Sequence, residues 1–368
     1  MFLRKIELKN FRNYDDLKLK FNKKINIFIG NNAQGKTNIL ESIYFLSITK
    51  SHRCNKDIFL IKNDNLFSKV NGEVENNDRT NKYEIIINSE GKRVSINNNV
   101  FKRISDYLSK INVVMFCPDD LEIVKGTPSD RRKFLNIEIG QINNDYIIYL
   151  AKYNKILKTR NEYLKNESKI DFNYLDVLTN QLIDLNIKIY KLRKEFIADL
   201  NSYIVDIYKK ISGKEDIHIK YESLIDNEED ALSDLQNKYD RVRESELNQK
   251  TTLIGIHRDD FSIYIDGQEI NNYGSQGQHR ISILCLKLAE IEIYKEKYNI
   301  KPIILLDDIF SELDRKKKNN IIKYIDSDLQ IFITSTDLTR VSKKLIKEAD
   351  IFYIEDGKVV KGEKDGTK

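Results

Sequence analysis

The sequence predicts an α/β protein: a P-loop nucleotide-binding lobe whose two halves flank a mostly helical second lobe. Three observations carry this. The stretch Gly30-Asn31-Asn32-Ala33-Gln34-Gly35-Lys36-Thr37 fits G-x-x-x-x-G-K-[ST]. It lies between an apolar run, Ile25 to Ile29, and a helical apolar pattern through Ile39, Leu40, Ile43, Tyr44 and Leu46. A second buried-strand run, Pro302 to Leu306, ends in two carboxylates, Asp307 and Asp308. Between them, from Pro118 to Lys250, the pattern is dominated by helical periodicity. The expected division is 1–117 for the N-terminal half of the ATPase lobe, 118–250 for the second lobe and 251–368 for the C-terminal half.

Composition narrows the class. With 368 residues and 40% apolar content the chain can bury a large core. Its 62 basic and 57 acidic residues leave a net charge of +5, so a nucleic-acid surface must be a local patch. Three scattered Cys and four His, with no C-x-x-C, argue against structural zinc and disulfides and for a reducing compartment. No apolar leader opens the sequence and no run approaches the ~18 apolar residues of a membrane span, so a soluble, cytoplasmic protein with no membrane partner is expected.

Taken in order, Phe2 to Lys9 alternates apolar and charged residues as a half-buried strand. Asn10-Phe11-Arg12-Asn13-Tyr14 turns it into a second strand at Leu17 to Phe21, and the P-loop strand, loop and helix follow. Leu66 to Val74, Lys82 to Asn88 and Lys92 to Ile96 read as antiparallel strands joined by turns such as Glu90-Gly91. A short helix at Phe101 to Leu108 leads to a strand at Ile111 to Phe116. In the second lobe, Thr127-Pro128-Ser129-Asp130 opens a helix with a Thr cap, Pro at the first position and an acid three residues on. Helices then span Tyr146 to Leu164 and Leu175 to Ile207. The second carries Leu175, Leu178, Leu182, Leu185, Ile189 and Leu192 on a narrow seam, as an antiparallel hairpin requires. A strand at Asp216 to Tyr221 and a charged helix at Glu228 to Lys250 complete the lobe. Sheet character resumes at Leu253 to Ile256 and continues through His257-Arg258-Asp259-Asp260 into a hairpin turning at Asp266-Gly267. Leu329 to Ile333 is another buried strand, and Asp356-Gly357 turns a final hairpin.

The chemistry follows from residue types. Glycines let the loop amides Gly30 to Thr37 converge on an anion, the helix N-terminus adds positive potential, and Lys36 and Thr37 reach β/γ-phosphates and Mg²⁺. A parallel strand in such a sheet delivers its C-terminal residues beside the phosphates, which makes Asp307, with Thr37, the metal-side group and Asp308 the group facing the attacking water. Lys36, Asp307 and Asp308 are the expected catalytic set, with ATP and Mg²⁺ as ligands. A second anion site is expected at Gly274-Ser275-Gln276-Gly277-Gln278, where a small hydroxyl and a glycine precede a helix, with Ser275, Gly277 and Gln278 as its contacts. Basic residues at Lys50, His52, Arg53 and Lys56, and at the helix start Arg131, Arg132 and Lys133, are candidates for DNA phosphate contacts.

Ser-x-Gly-Gln before a helix resembles the signature of ABC-type ATPases, and Glu312-Leu313-Asp314 after Asp307-Asp308 resembles their D-loop. With Asn10 to Tyr14, Asn38 to Tyr44, Pro118-Asp119-Asp120-Leu121, Arg131-Arg132 and His257 to Asp260 in the same order, essentially the full length resembles the RecF family of bacterial recombination mediators. The resemblance implies an ABC/SMC-head-like fold and an ATP-dependent homodimer, head to tail, with each signature on its partner's nucleotide. It further implies slow, DNA-dependent hydrolysis acting as a switch, binding to single-stranded or gapped duplex DNA, and a role with RecR and RecO in loading recombinase and supporting SOS induction. Asp308 departs from the wider ABC pattern, where Glu is usual. No His stands in Thr334-Ser335-Thr336-Asp337, so a hydroxyl there is the expected γ-phosphate sensor. Another SMC/ABC-type ATPase or a nucleotide-dependent kinase is the alternative reading.

Overall fold

Alternating side chains give β1 (Phe2–Phe11) and β2 (Tyr14–Lys20) one buried and one wet face, and they pair as an antiparallel hairpin. The computed structural model describes residues 1–77, 79–166, 170–214, 216–309 and 328–361. Its chain divides into two units, one of Met1–Asp120, Lys210–Ser212 and Leu284–Lys368, the other of Leu121–Lys209 and Gly213–Ile283.

In the first unit the fully apolar run becomes β3 (Ile25–Ile29), and the loop after it opens α1 (Lys36–Ile48). β4 (Phe67–Asn76), β5 (Arg79–Asn88), β6 (Gly91–Ile96) and β7 (Asn99–Val100) extend the first hairpin into an antiparallel sheet ordered β2-β1-β4-β5-β6-β7. After a helical turn, α2 (Ile104–Tyr107), comes β8 (Val113–Phe116). The second sheet takes in β12 (Ile303–Asp307), β13 (Ile331–Ser335), β14 (Ala349–Glu355) and β15 (Lys358–Lys361), in the order β15-β14-β3-β13-β12-β8. All its pairings are parallel except the closing β14–β15 hairpin. Every residue of β3, β12 and β13 is buried, as expected of parallel strands covered on both faces. Phe21, Phe28, Phe332 and Phe352 fill the core beside them, Phe21 meeting Phe332 edge-on at 4.8 Å. On the antiparallel sheet, Gly72 admits α1: a Cβ there would come within 2.3 Å of Leu46.

The second unit holds α3 (Glu122–Lys125), α4 (Pro128–Ile142), α5 (Asn144–Asn166), α6 (Phe172–Ser212) as far as Lys209, β9 (Ile217–Glu222) and α7 (Ala231–Gln249). β10 (Asp260–Ile265), β11 (Gln268–Glu269) and α8 (Ile270–Tyr273) follow. Through α9 (Gln276–Glu292) the chain returns to the first unit. The expected helix start is present: Thr127 and Asp130 form a reciprocal capping box with Pro128 at the first position. Asn201 covers the outer edge of β9, donating to Ile219 O and accepting from Ile219 N–H, as a neighbouring strand would.

Two sequence expectations differ. Leu253 to Ile256 is no strand: its backbone is met by buried side chains rather than by a ladder. Glu246 accepts from Leu253 N–H, Asn186 from Ile256 N–H, Tyr239 donates to Ile254 O and Arg193 to Ile256 O. Gly255, at φ +132°, makes the turn, and a Cβ there would strike the Tyr153 hydroxyl at 2.4 Å. The second unit therefore continues past Lys250 to Ile283, because β10 pairs with β9. The signature turn lies in that unit and not with the P-loop.

Candidate nucleotide-binding site

The loop Gly30–Thr37 leaves β3 and enters α1 with Gly35 at φ +109° and Ala33 at φ 65°. Gly30 is required by close approach, since a Cβ would come 2.4 Å from Ile354 O on β14. At Gly35 a Cβ would meet Asn13 at 2.6 Å and Tyr14 at 2.7 Å. These two residues brace the loop from the first hairpin. Asn13 donates to Gln34 O and accepts from Asn38 Nδ2, and the Tyr14 hydroxyl donates to Gly35 O. Gln34 Oε1 accepts from Asp356 N–H in the last hairpin. Asn31, Asn32 and Ala33 stay exposed.

Lys36 is only 7% exposed. Its ammonium donates to Gly30 O at 2.8 Å and Asn31 O at 2.7 Å, within the loop's own curve. Burial pulls it below its ordinary value, opposed by the charges of Asp308 and Asp307. Thr37 Oγ1 donates to Asp307 Oδ1 at 2.9 Å, and Thr334 Oγ1 donates to the same oxygen at 2.7 Å while accepting from Asp308 N–H. Burial raises the Asp307 carboxyl, and the hydrogen bonds from Thr334 and Thr37 hold it back. Asp308 leaves the strand at φ 49°, a left-handed conformation that Asp tolerates. The P-loop and the carboxylate strand are thus brought together. This oxygen-only donor set of hydroxyl and carboxylate suits a hard cation. Mg²⁺ at such a site would take most of its ligands from phosphate and water.

Sequence reasoning missed the tie beneath α1. Arg12 clamps Glu41, which is fully buried, through Nε at 2.8 Å and Nη2 at 2.6 Å. Ser51 donates to the same carboxylate. Arg53 approaches Glu41 at 3.7 Å and donates to Asn38 Oδ1, so this proposed DNA contact is partly engaged with the nucleotide-loop helix. Arg12→Ala is expected to lower stability by about 3 kcal/mol, because removing one partner leaves a buried carboxylate under-paired. A denaturant series on the nucleotide-free protein measures it. Thr334 was also missed as a brace. It is held on Asp307 and Asp308, which leaves Ser335 and Thr336 as the hydroxyls of that stretch; the Ser335 hydroxyl donates to Asp337 O.

The other expected positions divide. Lys50 and Lys56 are exposed, and His52 lies edge-on to Tyr44. Arg131 is a correction: it is buried, with its guanidinium bidentate on Asp260 at 2.6 and 2.7 Å and a third bond to Gly126 O, so it is not presented to a phosphate. Arg132 is half-buried against Asp259 O, and Lys133 is exposed. At the signature, Ser275 caps α9: its hydroxyl accepts from Gln278 N–H while Gln278 Oε1 accepts from Ser275 N–H. Ser275 and Gly277 are exposed, and beneath them His279 Nε2 donates to Ile270 O. Ser311 to Asp314 lie outside the described residues.

A family model for the RecF/RecN/SMC N terminal domain matches residues 2–358. The DNA replication and repair protein RecF of Listeria monocytogenes serotype 4b is 40% identical over 98% of this chain and 100% of the relative. This chain belongs to the RecF family. RecF of Pediococcus pentosaceus is 41% identical over 97% of this chain and 98% of its own. A solved recombination mediator, RecF-ATP in the RecFOR pathway, superposes with a TM-score of 0.91 at 35% identity over 98% of both chains. The Smc head domain of Pyrococcus furiosus, at 19% identity and a TM-score of 0.55 over 98% of this chain and 96% of its own, shares the fold. The RecF fold is thus an ABC/SMC-type ATPase head. Among the described residues no helix is long and apolar enough to cross a membrane.

Proposed function

We propose that this RecF-family chain is an ATP-dependent DNA-binding switch of recombinational repair, acting in the cytosol. ATP drives two copies together head to tail, slow DNA-stimulated hydrolysis releases them, and with RecR and RecO the dimer helps load recombinase at single-strand gaps and supports SOS induction. The observation that supports it best is the bonded series Thr37–Asp307–Thr334–Asp308, which joins a phosphate loop to the Asp307 carboxylate and the Asp308 backbone at one strand end.

In this reading Lys36 and the amides of Gly30 to Thr37 hold the β/γ-phosphates. Thr37 and Asp307 hold Mg²⁺, which when bound draws charge from the phosphate oxygens. Asp308, set apart by its left-handed turn, orients the attacking water and accepts its proton. Thr334 fixes the Asp307 carboxylate and the backbone N–H of Asp308, which holds the start of the turn that sets Asp308 apart. Ser275 and Gly277 serve the partner copy's nucleotide.

Solution mass with ATP, ADP and no nucleotide tests the switch, and two isosteric variants test the division of roles. Wild type should double in mass with ATP alone. Asp308→Asn should keep that doubling while hydrolysis slows about 100-fold, as expected for losing a positioned base. Asp307→Asn should instead weaken Mg²⁺-dependent ATP binding. A wild type whose mass ignores ATP, or equal loss of binding in both variants, would refute the proposal.

A further inference from the structure

His257-Arg258-Asp259-Asp260 has no part in the nucleotide site, yet buried charges of the second unit are committed to it. Asp259 is buried, bonded by Arg193 at 3.3 Å and by the Tyr221 hydroxyl at 2.5 Å. Arg193 is itself buried and donates also to Ile256 O, Tyr146 and Asn136. Asp260 takes the bidentate bond from Arg131. His257 accepts the Tyr153 hydroxyl at Nδ1, 2.6 Å away. Three of the four side chains therefore point inward and are fixed. The fourth, Arg258, is exposed, its backbone N–H closing the turn on Gly255 O, and its guanidinium meets no partner among the described residues.

A second guanidinium lies near Arg258. Arg132 lies against the peptide of Asp259, donating through Nη1 to its carbonyl at 2.9 Å. Burial, then the charges of Arg193 and, to a smaller degree, Arg258 hold the Arg132 guanidinium below its ordinary value, against the pull of Asp260 and Asp259. The two nearby carboxylates are already matched to Arg193 and Arg131. Arg132 and the exposed Lys133 also sit in the first turns of α4, where the helix dipole is positive and favours an anion. A rigid turn thus holds one guanidinium outward beside a second, whose neighbouring acids, Asp259 and Asp260, are bonded to Arg193 and Arg131. Two guanidiniums so placed can share the oxygens of a phosphate.

We propose that Arg258, flanked by Arg132, is a phosphate-binding point through which the DNA backbone docks on the second unit. The proposal rests on the DNA-binding reading above and adds a residue that the basic runs in the sequence did not single out. Arg258 is open to solvent, and the exposed Lys133 follows Arg132 on α4. Both favour a polymer of phosphates over a free nucleotide. Contacts of this kind position the duplex without reading its sequence.

Binding of a labelled gapped duplex with ATP present, measured across a salt series, tests it. Arg258→Glu should lower affinity about tenfold at every sequence and reduce the slope of log affinity against log salt by about 1, the signature of one lost phosphate contact. Arg258→Lys should keep that slope. Lys152→Glu, an equal charge change at an exposed position on α5, should alter neither. ATP affinity and the ATP-dependent mass of Arg258→Glu should match wild type. Unchanged DNA binding in Arg258→Glu, or an equal loss in Lys152→Glu, overturns the proposal. So does failure of Arg258→Glu to dimerise, which would make the residue a subunit contact. A wild type that binds no DNA under these conditions would instead remove the DNA-binding reading itself.

Discussion

Lys36→Ala is expected to lose ATP binding by a factor of 100 or more. The ammonium is the loop's only charge among Gly30 to Thr37, and it is held inside the loop's curve by two carbonyls, Gly30 O and Asn31 O. Exchanging those neutral acceptors for phosphate oxygens sets the ammonium against full negative charge, and hydrogen bonds to charged groups contribute about 1.5–3 kcal/mol each. Two such bonds account for about 3–6 kcal/mol, or roughly 100- to 10,000-fold in affinity. The substitution leaves the backbone cradle intact, because Gly35, Asn13 and Tyr14 set its shape. Titration calorimetry with ATP and Mg²⁺ measures the loss, and a normal thermal transition shows the fold is kept. Undiminished affinity would mean that the loop is a structural turn and not a phosphate site.

Local patterns made the nucleotide unit legible, and long-range pairings limited what could be read elsewhere. The apolar runs Ile25 to Ile29 and Ile303 to Leu306 could only be buried strands, and the glycine spacing between strand and helix fixed the loop. The bracing of that loop was not legible. Asn13, Tyr14 and Thr334 are ordinary residues in ordinary elements, and only strand register sets Thr334 beside Asp307. Arg131 misled for the same reason. Three cations in a helix's first turns looked like an exposed anion site, but the partner of the first, Asp260, lies far along the chain. Leu253 to Ile256 misled because an apolar run is compatible with a strand and equally with a turn whose backbone is met by Asn186, Tyr239, Arg193 and Glu246. At Ser275 one sequence supports two roles at once, since Ser-x-x-Gln is a capping box as well as a signature.

That double role sharpens the second large effect. Ser275→Arg should leave ATP binding near normal, because the nucleotide loop of the same chain is untouched. It should cost the fold only about 1 kcal/mol through the lost cap of α9. Dimerisation and hydrolysis should nevertheless fail. ATP can favour a dimer only by contacts present in that state and missing from the monomer, and in the proposed assembly the exposed Ser275 and Gly277 supply them. An arginine there fills the space the partner's nucleotide needs. Ser275→Gly separates capping from contact: glycine caps almost as well as serine, so the helix start survives while the hydroxyl is gone. It should therefore dimerise weakly with ATP and keep wild-type thermal stability. Solution mass and ATP turnover of the three proteins decide the matter. A Ser275→Arg protein that doubles in mass with ATP, or one that cannot bind ATP as a monomer, would rule out the head-to-tail assembly and leave Ser275 as a helix cap alone.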